Sequence, residues 1–385
     1  MRLKLFIVSV LRFFVLTDQE EGDQSWATLG SDFDLTLFND MLNGTLPTTE
    51  GESSAPCSKT VYGLSSLGLM ITFITVFVFS MLGNSVVVYV VCYMKKGRAS
   101  TDVYLMHLAL ADLLFSITLP FWAVKIHSGW IFGKFLCKLL SGLQEASVYS
   151  GVFLLACISV DRYFAIVKAT RVLSSRSHLV GLVCSMVWLV AGVLSLPVAI
   201  QRDTLETENM EGHILCYENL TGESSDRWRV SVRVLRHTMG FFLPLVVMVF
   251  CYGCTMVTLF HSRNQQKHKA MRVILAVVLA FVLCWLPHNI TVLIDTLMRG
   301  RSLGIETCDV RNRVDLVLHV TQVMAFMHCA VNPVLYAFIG QKFRNQLLAA
   351  LHKRGLISKR LQVAYRKGSA NSTGSFRSRN TSVTL

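Results

Sequence analysis

Seven long apolar segments divide this chain of 385 residues, and they restrict its fold more than any other feature. They lie near residues 64–93, 101–126, 135–166, 178–200, 230–261, 270–298 and 312–340. Each segment is long enough to cross a hydrocarbon core of about 30 Å as a helix, whereas a membrane barrel needs many short alternating strands. We therefore predict an all-α integral membrane protein, built as a bundle of seven transmembrane helices.

Basic residues lie in short clusters after the first, third, fifth and seventh segments. The net charge is +13, but only 16% of the residues are charged and 52% are hydrophobic, which argues against a soluble protein and against a nucleic-acid partner. Cytoplasmic loops of membrane proteins are enriched in Lys and Arg. The sequence therefore predicts a multi-pass protein of the lipid bilayer, with its amino terminus outside the cell and its carboxyl terminus in the cytoplasm.

The regions that flank the apolar segments differ from them in composition. Residues 1–60 form a predicted extracellular region, and residues 17–56 include many acidic residues but no Lys or Arg. Residues 1–16 begin with Arg2 and Lys4 before an apolar run that Arg12 interrupts, so they are either a signal sequence or an extension without function. The membrane domain spans residues 61–340, a short amphipathic cytoplasmic helix spans 341–352, and a Ser/Thr-rich tail spans 353–385.

The chain contains eleven cysteines, and eight of them fall within the apolar segments, one of these, Cys137, at the predicted outer end of the third segment. We interpret the other seven as small packing residues. The other four are Cys57, Cys137, Cys216 and Cys308, which fall on the predicted outer side, where an oxidising compartment favours two disulfides. Four cysteines permit three pairings, and spacing alone does not choose among them.

Glycosylation sequons depend on the same topology. Asn43 and Asn219 fall on the predicted outer side and are predicted to be glycosylated. Asn289 lies within the sixth segment, while Asn371 and Asn380 lie in the predicted cytoplasmic tail, so these three are predicted to stay unmodified.

Short motifs recur along the segments in a fixed order. They are Gly83-Asn84, Leu108-Ala109-Leu110-Ala111-Asp112, Asp161-Arg162-Tyr163, Trp188, Pro244 with Tyr252, Cys284-Trp285-Leu286-Pro287 and Asn332-Pro333-Val334-Leu335-Tyr336. This ordered set resembles the rhodopsin-type G-protein-coupled receptors. The resemblance covers all seven segments, and the joint occurrence of the motifs is far more specific than any one of them.

Longer runs carry a finer resemblance, to the C-X-C chemokine receptors. They include Thr118-Leu119-Pro120, Gly129-Trp130-Ile131-Phe132-Gly133, Ile158-Ser159-Val160 and the run of residues 266–273. Residues 295–299 and 339–344 are similar to the interleukin-8-binding branch of that family, types one and two.

This resemblance implies a function. The expected ligand is a secreted basic chemokine of the interleukin-8 type, and the expected output is a heterotrimeric G protein of the inhibitory class, which drives calcium signalling and neutrophil chemotaxis. Other implied partners are arrestin, a receptor kinase and a second receptor in a homo- or heterodimer. The implied disulfides are Cys137–Cys216 and Cys57–Cys308, the implied location is the plasma membrane, and no enzymatic activity is expected.

Charged residues near the outer ends of the segments are predicted to bind the ligand. Arg229, Arg233 and Arg236 recur at helical spacing, and acidic residues follow on the neighbouring walls. Opposite charges suit a ligand terminus that bears both signs, although a solvated rim of paired charges gives the same pattern. The full predicted set is Asp32, Asp34, Trp130, Gln144, Arg229, Arg233, Arg236, Asp295, Glu306, Asp309 and Gln322.

Two amides distinguish this chain from the branch that it resembles. The interleukin-8-binding receptors carry lysine and glutamate at the positions of Gln144 and Gln322, as though an ion pair had been exchanged for a neutral hydrogen-bonded pair. The amino-terminal region also has no tyrosine before Tyr62, whereas the family commonly sulfates tyrosines there. Its carboxylates are therefore expected to attract the chemokine, unless the region is an ordinary disordered acidic tail.

Residues near the cytoplasmic ends are predicted to form an activation switch. An ion pair between Asp161 and Arg162 can hold an inactive packing until a cytoplasmic partner competes for the arginine, although an interfacial anchor would also place Arg and Tyr there. Prolines within two segments are predicted to kink the helices. The full predicted set is Asp161, Arg162, Tyr163, Tyr252, Trp285, Pro287, Asn332, Pro333 and Tyr336.

Asp112 lies in the middle of the second segment. A carboxylate is costly in a bilayer, so it is predicted to face the bundle interior. There it either joins a structural network with Asn84 and Asn332 or holds the regulatory sodium ion that the resemblance implies. Ser147 occupies a position where related receptors carry an asparagine ligand, which weakens the sodium alternative. No other cofactor and no metal centre are predicted.

The tail supplies hydroxyl groups for phosphorylation, which would recruit an arrestin, although an unmodified linker has the same composition. The candidates are Ser372, Thr373, Ser375, Ser378, Thr381, Ser382 and Thr384. Two other functions compete with a signalling receptor. A chemokine-scavenging receptor usually shows a damaged Asp-Arg-Tyr sequence, which is intact here. A membrane transporter is expected to show repeated halves, and the sequence has no internal repeat.

Overall fold

The computed structural model describes residues 66–94, 100–168, 177–206, 214–219, 225–261, 265–299, 308–339 and 341–353, with residues 355 and 358. Within these ranges, seven helices are long and apolar enough to cross a membrane. The predicted seven-helix bundle is thus confirmed. The acidic region and the Ser/Thr-rich tail, with Asp32, Asp34, Asn43 and the candidate phosphorylation sites, lie outside the described residues.

Eight helical elements follow one another in the described chain. They are α1 (Ser66–Tyr89, extended by a π turn over Val90–Met94), α2 (Ser100–Ser128), α3 (Gly133–Ile166), α4 (Ser177–Gln201), α5 (Ser225–His237, a π turn over Thr238–Phe242, and Leu243–Phe260), α6 (Gln265–Arg299), α7 (Cys308–Phe326 and His328–Ile339) and α8 (Gln341–Lys353). The helix α8 occupies the range predicted for the short amphipathic helix.

The central helix of the bundle is α3. Its 34 residues rise about 51 Å at 1.5 Å per residue, and it packs against α2, α4 and α5. Leu154, Leu155 and Ile158 on α3 are at most 1% exposed. By contrast, Leu189 on α4 and Phe260 on α5 are largely exposed, which suits contact with lipid. Side chains of α3 can therefore contact three neighbouring helices of the bundle.

A two-stranded antiparallel hairpin, not predicted from the sequence, follows α4. Strand β1 (Arg202–Glu206) pairs with β2 (Ile214–Glu218), and Thr204 lies opposite Cys216. The hairpin lies against α3. Its pairing brings a cysteine of β2 to the start of α3.

The helix α7 is irregular at Met327, between its two parts. Further along, Pro333 has no N–H and leaves the carbonyl of Cys329 without its helical donor. Two side chains of α1 donate to that carbonyl instead: Asn84 Nδ2 at 2.8 Å and Ser80 Oγ at 3.2 Å. The helix α1 therefore stabilises the irregular part of α7.

The backbone of α1 comes very close to α7 at Gly83. A Cβ atom at this position would lie 2.6 Å from Pro333 Cβ and 2.7 Å from Pro333 Cγ, closer than real contacts allow. Only glycine fits there without a shift of the proline ring. The Gly83-Asn84 pair of the sequence thus has a packing role and a hydrogen-bonding role, one residue apart.

Candidate functional site

The two ends of α3 carry the two groups of predicted site residues. Cys137 lies near its first turn and Asp161 and Arg162 near its last turn, and the axial rise from Cys137 to Arg162 is about 37 Å. We call these the disulfide end and the Arg162 end of the bundle. Each end has its own polar contacts, and a third group around Asp112 lies between them.

The disulfide end is fastened by the bond between Cys137 and Cys216, whose Cα atoms are 5.8 Å apart. This confirms the first pairing implied by the resemblance. The second pairing lies outside the described residues, because Cys57 is not among them and nothing is described of the Cys308 side chain. The seven cysteines within the helices form no disulfide, as expected for packing residues.

Trp130 supports the disulfide and has no exposed surface. Its indole Nε1–H donates to the carbonyl of Gly133 at 2.8 Å, and its backbone N–H donates to the carbonyl of Ile214 in β2 at 2.7 Å. Trp130 therefore has a supporting role at this end of the bundle, and its direct contact with a ligand stays a prediction. Its ring is covered by Trp122 and Phe132.

Asp203 connects the hairpin to α3. It accepts from Lys134 Nζ, which is 2.9 Å from Asp203 Oδ1, and from Asn219 Nδ2 at 3.2 Å. Donation from Lys134, then from the Thr204 N–H and Asn219, lowers the pKa of the Asp203 carboxyl to about 2. The sequon asparagine thus stands at the edge of the hairpin, where its glycosylation stays a prediction.

The outer arginines of α5 contact two different helices. Arg233 Nη1 donates to Asp295 Oδ2 on α6 at 2.8 Å, which brings together two residues of the predicted ligand set. Arg236 Nε lies 2.5 Å from Oε1 of Glu145 on α3, and the Glu145 side chain is only 6% exposed. Arg229 lies on the same part of α5, where nothing is described of its side chain. Two ion pairs therefore join α5 to α6 and to α3.

The expected hydrogen bond between Gln144 and Gln322 is not formed. Gln144 Nε2 is buried and has no hydrogen-bond partner in the described structure, and Gln322 is half-buried on α7. The charged contact of this region lies at the next residue of α3 instead, because Glu145 faces Arg236 across the bundle. This region therefore contains an ion pair beside Gln144 and, among the described residues, no hydrogen bond between the two amides.

The remaining predicted ligand residues are not brought into this group. Asp32, Asp34 and Glu306 lie outside the described residues, and Asp309 lies on α7 without a described side chain. Beside the Glu145–Arg236 pair, a cavity of about 40 Å³ opens between α3, α5 and α6. Its walls include His237, His288 and Asn289, none of which was singled out as a site residue from the sequence.

Asp112 lies in a buried network between the two ends. Asn332 Nδ2 donates to Asp112 Oδ2 at 2.8 Å, and His328 Nε2 lies 3.6 Å from Asp112 Oδ1. Asn84 does not contact the carboxylate directly but joins the network through Ser80, which also accepts from Ser116 at 2.5 Å. The structural alternative for Asp112 therefore has direct geometric support.

The same contacts test the sodium alternative. Sodium is a hard cation and takes oxygen ligands, whereas both oxygens of Asp112 face nitrogen atoms of Asn332 and His328. Ser147 directs its hydroxyl to the carbonyl of Leu143. Within the described ranges, no group of three or more His, Cys, Asp or Glu residues could hold a metal ion. These contacts favour the structural alternative for Asp112, and the sodium ion stays a prediction.

At the Arg162 end, Arg162 forms an ion pair with Asp161, and Asp161 is 3% exposed. Ser100 of α2 donates to both carboxylate oxygens of Asp161, at 3.1 and 3.2 Å. A buried carboxylate with two partners holds the neighbouring guanidinium in place. The predicted pairing is therefore present, and Arg162 is held by a contact that a stronger partner could replace.

The other predicted switch residues lie along α5, α6 and α7. Tyr252 and Tyr336 are buried, and the Tyr336 ring packs on Phe343 of α8. Trp285 stacks on Phe281 and lies edge-on to His328 at 5.4 Å between ring centroids. Pro287 and Pro333 lie inside α6 and α7. Tyr163 packs on Phe250 of α5.

Glu145 is the main site residue that was not identified from the sequence. The signal existed, because an acidic residue within a membrane helix is a candidate functional residue by default, and the arginines of α5 needed an acidic partner. His328 and Ser100 are also part of the networks. Histidine and serine are common in helices for other reasons, so no sequence signal separated these two from their neighbours.

Comparison with known proteins agrees with this arrangement. A family model described as 7 transmembrane receptor (rhodopsin family) matches residues 83–336. The C-X-C chemokine receptor type 1 of Oryctolagus cuniculus is 48% identical over 340 residues, which cover 88% of this chain and 94% of that receptor. The C-X-C chemokine receptor type 2 of Homo sapiens is 49% identical over 306 residues, which cover 80% of this chain and 84% of that receptor.

Proposed function

The chain belongs to the rhodopsin family of seven-transmembrane receptors and, within it, to the C-X-C chemokine receptors; we propose that it binds a secreted basic chemokine of the interleukin-8 type and activates a heterotrimeric G protein of the inhibitory class. Members of this class are receptors and not enzymes. The family and the seven helices indicate a multi-pass protein of the plasma membrane.

The observation that carries the proposal is the placement of two ion-paired regions on one helix. At the disulfide end, α3 and its neighbours present Arg233–Asp295 and Glu145–Arg236, whose charges can exchange partners with a charged ligand. At the opposite end, Arg162 is held by Asp161. A ligand that shifts α5 relative to α3 would change both regions, because α5 packs against α3 and its Phe250 contacts Tyr163 beside Arg162.

The proposed orientation follows from this arrangement. The disulfide end faces the outside, where a disulfide persists and a chemokine arrives, and the Arg162 end faces the cytoplasm, where a G protein arrives. The acidic residues Asp32 and Asp34 contribute to electrostatic capture of the basic chemokine. Phosphorylation of the tail by a receptor kinase, followed by arrestin binding, ends the signal, and calcium signalling and chemotaxis of leukocytes are its outcome.

A screen in cells that lack chemokine receptors tests the proposal. The chain is expressed at the cell surface, basic chemokines are added one at a time, and the inhibition of cyclic AMP formation is measured together with surface binding. At least one basic chemokine is expected to bind and to reduce cyclic AMP. Binding of several chemokines without any G-protein response would replace this proposal with a scavenging receptor.

The variant Arg162→Ala distinguishes chemokine binding at the disulfide end from G-protein activation at the Arg162 end. We expect it to bind chemokine as the unchanged receptor does and to lose the cyclic AMP response, because it removes the cation that a G protein would contact. Lys168→Ala removes an exposed cation just beyond the end of α3 and is expected to keep the response. Loss of chemokine binding in Arg162→Ala, at equal surface expression, would make this arginine a structural residue instead.

A further inference from the structure

The cavity between α3, α5 and α6 shares the Glu145–Arg236 pair with the proposed chemokine contacts, but its other polar groups, among them His237 and Asn289, take no part in those contacts. Toward the disulfide end it is bordered by Glu145 and Arg236, and deeper in the bundle by Trp285 and Phe281. His237 and Asn289 lie on facing helices between these levels. We call this space the inner chamber.

Two polar atoms of the inner chamber residues are buried without a hydrogen-bond partner in the described structure: Trp285 Nε1 and His237 Nε2. The first is a donor. The second is an acceptor, as the neighbouring contacts show. Asn289 donates its amide nitrogen to the carbonyl of Trp285 at 2.9 Å, so its oxygen faces His237 Nδ1 at 2.6 Å. Neutral His237 then carries its hydrogen on Nδ1, and Nε2 keeps a lone pair.

The two charged residues of the inner chamber retain atoms that their mutual contact does not use. Glu145 Oε1 and Arg236 Nε form the contact at 2.5 Å. Glu145 Oε2 and the two terminal nitrogens of the Arg236 guanidinium lie outside this contact. The chamber residues thus supply one cation, one anion, a free donor and a free acceptor, and their formal charges balance when the imidazoles are neutral.

This balance selects the kind of molecule that fits. A simple anion or a simple cation would add an unmatched charge to a region of low dielectric, which is costly. A neutral molecule with separated charges adds none. Its anionic group would meet Arg236, and its cationic group would meet Glu145 and the lone pair of His237.

The volume limits the size of that molecule. A cavity of about 40 Å³ holds about three water molecules, at about 10–15 Å³ of such volume for each. Covalently bonded heavy atoms lie about 1.5 Å apart, closer than hydrogen-bonded waters at about 2.8 Å, so about five bonded atoms occupy a similar space. Aromatic side chains close the deep end, which leaves little room for a long substituent.

We propose that the inner chamber is a binding site for a small α-amino acid in its zwitterionic form. The carboxylate is bound by the terminal nitrogens of Arg236, and the ammonium group donates to Glu145 Oε2 and His237 Nε2. Glycine and alanine have the size that fits. This site goes beyond the proposed function, because neither a chemokine nor a G protein takes part in the binding.

Direct binding to the purified receptor in lipid nanodiscs tests the proposal without chemokine or G protein. Isotope-labelled glycine is the probe, and acetate, methylammonium and leucine are the competitors. We expect glycine to bind at millimolar concentration or below, since a ligand of so few atoms has limited affinity. Acetate, methylammonium and leucine should each compete at least about tenfold more weakly than unlabelled glycine.

Substitutions of the lining residues test which side chains bind glycine. Arg236→Gln and Glu145→Gln are each expected to weaken glycine binding at least about tenfold, whereas Lys138→Gln, which removes a cation of α3 that contacts the carbonyl of Ile200, should bind normally. The double variant Glu145→Gln with Arg236→Gln leaves no unpaired charge, and its melting temperature shows whether a loss of binding occurs in a folded receptor. Absence of glycine binding, equal competition by acetate, or normal binding in the double variant would each overturn the proposal, and a chamber filled by water alone would give the first of these results.

Discussion

Glu145 and Arg236 place a charged contact between α3 and α5, one residue along α3 from Gln144. A carboxylate that is 6% exposed has lost most of its water, and the guanidinium compensates for that loss. The neutral side chains of Gln144 and Gln322 therefore do not make this region free of charge, because the neighbouring Glu145–Arg236 pair remains.

Removing one member of this pair should destabilise the receptor. We expect Glu145→Gln to lower the free energy of unfolding by about 1–2 kcal/mol, because Arg236 loses its anion but is 37% exposed and partly screened by solvent. The measurement is the melting temperature of the purified receptor. The double variant with Arg236→Gln should recover part of the loss. An unchanged melting temperature in the single variant would mean that the pair contributes nothing to stability.

His328 places a ring nitrogen 3.6 Å from the carboxylate of Asp112. Because an imidazole and an amide nitrogen face the carboxylate, we expect no stabilisation by sodium. Melting temperatures in sodium chloride and in choline chloride at equal ionic strength should agree within about 1 °C, since an ion that does not bind the folded state cannot stabilise it. A higher melting temperature in sodium, removed by Asp112→Asn, would contradict this expectation.

At the scale of whole elements, α1 and α7 are joined at one carbonyl and one close backbone contact. Pro333 frees a carbonyl, Asn84 and Ser80 bind it, and Gly83 permits the approach. The break at Met327 was not predicted, although Pro333 was expected to distort the helix.

A methyl group at Gly83 tests this contact. We expect Gly83→Ala to destabilise the receptor by about 1–3 kcal/mol, because its Cβ would collide with the Pro333 ring. Gly192→Ala on α4 is the matched control, since a Cβ there meets nothing within 4 Å. Thermal melting and the amount of receptor at the cell surface are the measurements. Equal behaviour of the two variants would show that the proline ring can move aside without cost.

At the scale of the whole molecule, the disulfide joins parts of the chain that are 79 residues apart in sequence. We expect the double variant Cys137→Ala with Cys216→Ala to lose about 2–5 kcal/mol of stability, because the unfolded chain regains the freedom that the bond removes. Cys254→Ala, which removes a cysteine without a disulfide, is the control. The melting temperature distinguishes them, and a double variant as stable as the control would refute the expected role.

The seven helices and the Asp161–Arg162 pair could be anticipated from the sequence, because apolar length and short motifs act locally, whereas the Cys137–Cys216 pairing was expected only from the family resemblance. The inner chamber could not. It depends on where His237, Trp285 and Asn289 meet across three helices, and each of these residue types is ordinary in its own segment. The hairpin was not predicted because its strands are only five residues long, and their contacts with α3 and with the disulfide involve residues distant in sequence.

The carbonyl of Cys329 has a consequence for biosynthesis. The side chains that bind it belong to α1, which enters the membrane first, whereas the carbonyl belongs to α7, which enters last. Until translation reaches α7, Asn84 keeps only its partners within α1, the carbonyl and hydroxyl of Ser80. The contact between the first and the last membrane helix can therefore form only when the last helix has been inserted.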